Sequence, residues 1–300
     1  MLRKMLLAAA KPYIRAELPQ WGVVFDALIG SKIDDPRWSH GPVVTARNKY
    51  FGHETQLDLS NWYDRSPYFL GRWSDLPAQL LLSRYRRGTI VDIGANRGEF
   101  TLAASYLGER VISFEPNPEM AAMLKRDLSS NGIANVTVHA MGLSDKRGEL
   151  TLRIPAMGSV GASFGGYEDG RKIEGIPVCV GDDMLKREHP VLIKIDVEGF
   201  EVRVIRGLRE TIARARPVIV TEVNADHLKR CGSSAEELGG LISGFGYRGF
   251  GLGLRRRGLD QQLALLPRGV DMVWIPEERD PAAFKASQKD LRRYRKRQVI

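Results

Sequence analysis

Cysteine is scarce: the 300-residue chain has two, Cys179 and Cys231. Neither belongs to a C-x-x-C pair, and no Cys/His cluster has metal-ligand spacing, which argues against a structural zinc. A chain of this length can bury a sizeable core without disulfides, so both thiols read as packed side chains in a reducing, cytoplasmic setting. No run of about 18 apolar residues occurs, and no membrane-spanning helix is predicted. The opening "MLRKMLLAAAKPYIR" imitates a secretory signal, but its apolar run stops at Lys11-Pro12, short of the ~7–15 residues required. It reads as an amphipathic surface helix with Leu2, Met5, Leu6 and Ala9 on one face. Internal repeats and long low-complexity tracts are also missing.

Two phosphate-binding signatures are absent as well. Residues 91–100 read "VDIGANRGEF". A dinucleotide fingerprint starting at Gly94 needs glycines at 96 and 99, where Asn96 and Glu99 stand. A P-loop needs Gly-Lys-Ser/Thr, but Gly98 precedes Glu99-Phe100. The turn is therefore not built for a cofactor held by its phosphates.

What is present is a strand–helix alternation. "TIVDIG", "RVISFE", "NVTVHA", "VLIKID", "PVIVTEV", "YRGFG" and "VDMVWIP" read as strands. Helical patterns lie between most of them. One starts at Asn117-Pro118, with Asn as cap and Pro in the first turn. Another runs over about 198–213. Continuous Val/Ile strands separated by helices predict an α/β fold, a doubly wound parallel sheet covered on both faces. Its ligand belongs at the carboxyl ends of the strands. The expected organisation is a helical and short-strand extension over 1–88, the sheet domain over 89–276, and a basic tail over 277–300. A helix over 74–88, with Ser74 as cap and Gly88 as stop, closes the extension. The long Gly/Ser-containing segment 143–189 reads as a mobile substrate loop.

The formal net charge is +9. Residues 281–300 hold seven Lys/Arg against Asp290 alone, so +6 of that charge sits in the tail. Such a tail suits peripheral contact with anionic membrane, or with nucleic acid; the plainer alternative is a solvated terminus.

Three signals at successive strand ends identify the cofactor. Around the D-x-G-x-x-x-G turn, Asp92, Gly94, Ala95, Asn96 and Gly98 allow close backbone approach by a ligand with a small anionic end. Glu115, in "FEPNP" with Pro116 and Asn117, can accept hydrogen bonds from both hydroxyls of a ribose. Ser144 and Asp145, in "GLSD", can meet an adenine amino group. A ribose, an adenine and an amino-acid end without phosphates describe S-adenosylmethionine. Taken singly, Glu115 reads equally as a helix cap and Asp145 as a turn residue.

The segments "TIVDIGANRGEFTLAASYLG", "VISFEPNP", "GLSDKRGELTL", "VLIKIDVEGFEVRVIRGL" and "PVIVTEVN" resemble the FkbM family of S-adenosylmethionine-dependent methyltransferases. The likeness runs over roughly residues 57–224, and "KIDVEGFE" is its most specific block. It implies a class I methyltransferase (Rossmann-like) sheet, with seven mostly parallel strands and an antiparallel last strand. It also implies O-methylation of hydroxyls on polyketides or sugars, and a cofactor lined by Asp92, Gly94, Ala95, Asn96, Gly98, Glu115 and Asp145.

Methyl transfer to an alcohol needs a base, or a metal that acidifies the hydroxyl. Asp196 and Glu222, at the ends of neighbouring strands, are the candidates for either role. Lys194 shares a strand face with Asp196 and would serve as its partner. Glu198, Asn224, His227 and Ser163 are candidate substrate contacts. Against this, Glu198 and Glu201 fit the first turn of a helix, and His227 fits a capping position. The leading expectation is O-methylation of a sugar, glycan or secondary-metabolite hydroxyl. The alternatives are a nucleic-acid or other N-methyltransferase, or a catalytically silent S-adenosylmethionine-binding module. No NPPY-like motif follows the fourth strand, and Gly94, Glu115 and Asp196 are all in place.

Overall fold

Leu7, Ala10 and Ile14 recur at helical spacing, and the helix they specify, α1 (Leu2–Arg15), turns them toward an apolar cluster. Its other side leaves Met5 and Leu6 exposed, at 61% and 47%. The computed structural model describes residues 2–30, 35–73, 78–79, 82–85, 87–155, 161–165, 170–252 and 270–279. Of the expected basic tail only 277–279 are described, and about half of the expected helix over 74–88 lies outside these residues.

The chain divides into two units at residue 76. In the first, α2 (Trp21–Leu28) is followed by the antiparallel pair β1 (Val43–Arg47) and β2 (Glu54–Asp58), and by α3 (Trp62–Leu70). Asn61 caps α3 by accepting from the Tyr63 N–H, and Gly71 ends it at φ 69°. Phe25, Ile29, Trp38, Leu57, Phe69 and Trp73 form the core of this unit. The strands expected here are β1 and β2; the aromatic stretch after them is helical.

The second unit starts before the first strand of the main sheet. Ala78 and Leu82 are buried, and the Gln79 amide donates to the Glu99 carbonyl at 3.1 Å. Residues 78–79 and 82–85 thus group with the sheet and not with the N-terminal extension. The unit's principal strands are β3 (Thr89–Ile93), β4 (Arg110–Phe114) and β5 (Val136–His139). Helices α4 (Glu99–Ser105) and α5 (Pro118–Ser130) lie between them. Asn117 caps α5 by accepting from the Glu119 N–H at 3.0 Å, as expected.

After β5 the chain departs from the expected loop. β6 (Gly142–Ser144), β7 (Gly148–Ile154) and β8 (Arg171–Val180) form a separate three-stranded sheet in the order β6-β8-β7. Leu152, Ile154 and Ile176 form its own apolar cluster. The alternation in "ELTLRI" and "IPVCV" specifies these strands. Ser144 therefore ends β6 in the small sheet, and the third main strand stops earlier, at His139.

Helix α6 (Gly181–Met184) leads to β9 (Pro190–Ile195), then α7 (Glu201–Arg206), α8 (Arg209–Ala215) and β10 (Val218–Val223). The single helix expected over 198–213 is thus two helices. Gly207 lies between them, where a Cβ would come 2.1 Å from the Ser144 carbonyl oxygen. Helices α9 (Ala225–Arg230) and α10 (Ala235–Ser243) precede β11 (Tyr247–Gly251) and β12 (Val270–Pro276).

The main sheet has seven strands in the order β11-β12-β10-β9-β3-β4-β5. Neighbours from β10 to β5 are parallel, and β12 runs antiparallel to both β10 and β11. This is the class I methyltransferase arrangement, with its last strand reversed. Among the described residues, no helix is long and apolar enough to cross a membrane.

Candidate active site

The glycine turn follows β3. The N–H groups of Gly94 and Ala95 both donate to the Phe114 carbonyl, at 2.9 and 3.1 Å. That fastens the turn to the end of the neighbouring strand. Gly94 and Gly98 have φ of 84° and 87°, and Asn96 between them also lies in the left-handed region, at 47°. At Gly94 a Cβ would sit 1.8 Å from the Asp196 carbonyl oxygen; at Gly98 it would meet the Leu124 side chain at 2.2 Å. The glycines thus serve packing against the protein's own chain, besides any ligand. Asp92 is fully buried beneath the turn and accepts from Thr101 Oγ1 at 2.5 Å. Burial pushes its carboxyl up from the ordinary range.

Glu115 brackets two loops. One carboxylate oxygen accepts from the Asn96 N–H at 2.6 Å and the other from the Asn117 N–H at 2.8 Å. Burial, against the pull of these two bonds, pushes its carboxyl up to about 7. Asp92, Gly94, Ala95, Asn96, Gly98, Glu115, Pro116 and Asn117 are therefore drawn together by the ends of β3 and β4. Ser144 and Asp145 belong to the small sheet. Ser144 Oγ donates to Asp145 Oδ1 at 3.1 Å, and Arg203 pairs with the same oxygen at 3.4 Å.

The catalytic candidates fall into two partnerships. Lys194, buried on β9, donates to Asp196 Oδ2 at 2.8 Å. β9 and β10 are paired with Ile195 opposite Thr221, so Asp196 and Glu222 follow at adjoining positions. Glu222 nevertheless keeps other company. His227 Nδ1 lies 2.6 Å from Glu198 Oε2 and 3.7 Å from Glu222 Oε2. Among the described residues, Glu198, Glu222 and His227 are the group whose potential ligand atoms all lie within 4.8 Å of one another. The expected metal pair, Asp196 with Glu222, is thus divided: Lys194 occupies Asp196, while Glu222 groups with Glu198 and His227.

Burial pushes Glu222 up to about 7 against its contact with His227, and the charges of Asp196 and Glu198 add to the rise. Contact with Glu198, then with Glu222, raises His227 to about 9. His227 is therefore more than a capping residue. Asn224 does the capping, its Oδ1 accepting from the N–H groups of Asp226 and His227 at 3.1 and 3.3 Å. Ser163 Oγ donates to the Glu198 carbonyl at 2.8 Å, which ties the small sheet to the turn after β9.

Three further acids border this region; of these, Glu201 sits in the first turn of a helix as expected, and Asp271 and Glu99 were not among the candidates. Asp271 on β12 faces Glu222 across the strand pair, and burial raises it to about 6. Glu99 and Glu201 are buried, and burial raises each to about 8. Asp271 is a lone acid in the apolar run "VDMVWIP", which is the one sequence signal it carries. Glu201 Oε1 accepts from the Val197 and Gly199 N–H groups at 3.2 and 3.1 Å, so it braces the turn from within the first turn of α7.

The model of the methyltransferase FkbM domain matches residues 92–248, just over half of the chain. Among curated proteins, the chain is 28% identical over 151 residues to hexuronic acid methyltransferase AglP of Haloferax volcanii, covering 49% of this chain and 61% of that one. It is 25% identical over 146 residues to methyltransferase 1 of Beauveria bassiana, with coverages of 40% and 57%. The chain spans about three fifths of the length of these curated relatives. Among solved structures, methyltransferase FkbM from Methylobacillus flagellatus aligns at a TM-score of 0.41 and 21% identity, over 63% of this chain and 44% of that one.

Proposed function

We infer the reaction from one premise, that the chain belongs to the FkbM family and is a methyltransferase. Its proposed reaction is transfer of a methyl group from S-adenosylmethionine to a hydroxyl of a sugar or glycan. The observation that carries this reading is the Lys194–Asp196 pair, 2.8 Å apart at the carboxyl end of β9 and directly beside Gly94.

The residues fit the cofactor. Each Glu115 oxygen accepts a single backbone N–H, which leaves lone pairs for the two hydroxyls of a ribose. Gly94, Asn96 and Gly98 all take left-handed φ, which shapes the turn beside Glu115 that would receive the cofactor. When bound, S-adenosylmethionine supplies an electrophilic methyl on a sulfonium. The chain's own part is to hold the acceptor oxygen close and in line. Asp196 takes the hydroxyl proton on its carboxylate as the oxygen attacks. Lys194 positions that carboxylate from below.

A hexuronic acid relative offers a sharper acceptor class, a glycan bearing uronic acid. Such a sugar has both hydroxyls and a carboxylate, and the two products differ in chemistry. The test is transfer of labelled methyl from S-adenosylmethionine to uronic-acid oligosaccharides, with RNA as a second acceptor. The expected product keeps its label in mild alkali, as an ether does. Label released by alkali would mean a methyl ester, formed without a base. Transfer to RNA alone would favour the nucleic-acid alternative, and cofactor binding without any transfer would favour a silent module.

A further inference from the structure

Three ligand-type atoms converge in one buried place. Glu198 Oε2, Glu222 Oε2 and His227 Nδ1 are all closed to solvent, and none has a hydrogen-bond partner outside the trio. All three lie within 4.8 Å of one another. Imidazole and carboxylates touch only as ion-pair contacts, at 2.6 and 3.7 Å. Buried polar atoms left in this state call for an explanation.

The surrounding backbone is built to hold them so. Glu198 takes a left-handed φ of 55°, unfavourable for a residue with a side chain. The Ser163 hydroxyl grips its carbonyl at 2.8 Å. Gly199 follows at φ 104°, and a Cβ there would come 2.2 Å from the His227 carbonyl oxygen. That absence lets the turn after β9 close onto α9. Asn224 fixes the first turn of α9, which carries His227, and β10 carries Glu222. Three different elements thus present one donor each, and each is braced by neighbours outside the trio. Sites positioned in this way are pre-organised for a ligand.

We propose that Glu198, Glu222 and His227 form a binding site for a divalent transition-metal cation such as Mn²⁺ or Zn²⁺. The donor set decides the class. One imidazole nitrogen with two carboxylate oxygens suits these borderline cations; Ca²⁺ and Mg²⁺ prefer oxygen alone. Two carboxylates balance the cation's charge, and the cation takes the place of a proton on the imidazole. Three protein ligands leave coordination positions for oxygens from outside. A sugar presenting two oxygens together, as a vicinal diol or a hydroxyl beside a carboxylate, fits those positions. Asp196 stays with Lys194 and remains outside the metal's shell.

The site can be tested without turnover, so its failure and that of the methyl-transfer reading are separable. Mn²⁺ is titrated into chelator-stripped full-length protein, and the free ion is followed by electron paramagnetic resonance. One Mn²⁺ per chain is expected, with Glu198→Gln and His227→Gln each binding at least tenfold more weakly. Glu174→Gln, on an exposed stretch of β8, should bind like the parent. Pulsed measurements on the unaltered protein should show coupling of bound Mn²⁺ to one imidazole nitrogen, a readout that does not depend on any variant folding. No uptake at millimolar Mn²⁺ would overturn the proposal. So would uptake without nitrogen coupling, or equal affinity in folded Glu198→Gln.

Discussion

Glu115 offers a perturbation whose size follows from its surroundings. In the ligand-free protein, burial pushes its carboxyl up to about 7, against two backbone hydrogen bonds that pull it down. Ribose hydroxyls donate hydrogen bonds, and donors favour the ionised form. Cofactor binding therefore requires the carboxylate, and a protonated Glu115 must first lose its proton. Below its free pKa the apparent affinity should fall about tenfold per pH unit; above it, affinity should level off. Between pH 6 and pH 8 that amounts to roughly tenfold tighter binding at the higher pH.

Glu115→Gln removes the titration but keeps the shape. Its amide oxygen can accept one of the two N–H groups now bound, from Asn96 and Asn117. The amide NH₂ then faces the other N–H, leaving a buried donor unpaired at about 1–3 kcal/mol. The assay is calorimetry with S-adenosylhomocysteine at pH 6, 7 and 8 for both proteins. The variant should bind at least tenfold more weakly at pH 8, with a flatter pH dependence. An unchanged slope in Glu115→Gln would show that another group controls binding. Equal affinities at every pH would remove Glu115 from the cofactor site altogether.

Asp196→Asn keeps a partner for Lys194 but removes the base, so kcat should fall about 10²–10⁴-fold with cofactor affinity little changed; near-normal turnover would show that positioning alone drives the transfer. Gly94→Ala should abolish cofactor binding or lower Tm sharply, since its Cβ would sit 1.8 Å from the Asp196 carbonyl oxygen, whereas Gly132→Ala, in open space at φ 65°, should cost only about 1 kcal/mol. Ligand-free protein should lose stability as pH rises from about 5.5 to 8.5: Glu99, Glu201 and Glu222, raised to about 8, 8 and 7, hold protons that the unfolded chain has released, and His227, raised to about 9, loses its charge over the top of that range. Scanning calorimetry that found a rising Tm would contradict this. Deleting 281–300 removes a net +6 and should weaken adhesion to anionic vesicles at low salt while leaving cofactor affinity intact; loss of cofactor binding would refute a dispensable tail.

The main sheet was legible because parallel strands buried on both faces are nearly continuous runs of Val and Ile. Six of its seven strands carry Val or Ile, including the reversed one at 270–276; "YRGFG" at the edge carries neither and is marked by its aromatics. The cap at Asn117 was legible for a local reason, since it serves an N–H two residues away. The small sheet was missed because glycine and serine dominate the stretch between its strands. "ELTLRI" does alternate, but its partner Arg171–Val180 pairs across a long gap that no local pattern records.

The acids were harder, because a carboxylate's role depends on its partners more than on its position. Asp196 and Glu222 were correctly placed at neighbouring strand ends, and symmetry suggested one shared task. Lys194, two residues away on the same strand, claims Asp196 by local periodicity alone. Glu222 is claimed by His227, five residues on, only because Asn224 starts a helix there and turns the imidazole back over the sheet. Glu198 joins them through a left-handed backbone that the short motif "DVEGF" gives no reason to expect. That conformation needs Gly199 beside it and Ser163 from a different sheet to hold it. The same motif therefore contains one acid that acts alone with a lysine and another that acts in a trio. The division between them is made by tertiary contacts from three elements, and no spacing along the chain carries that information.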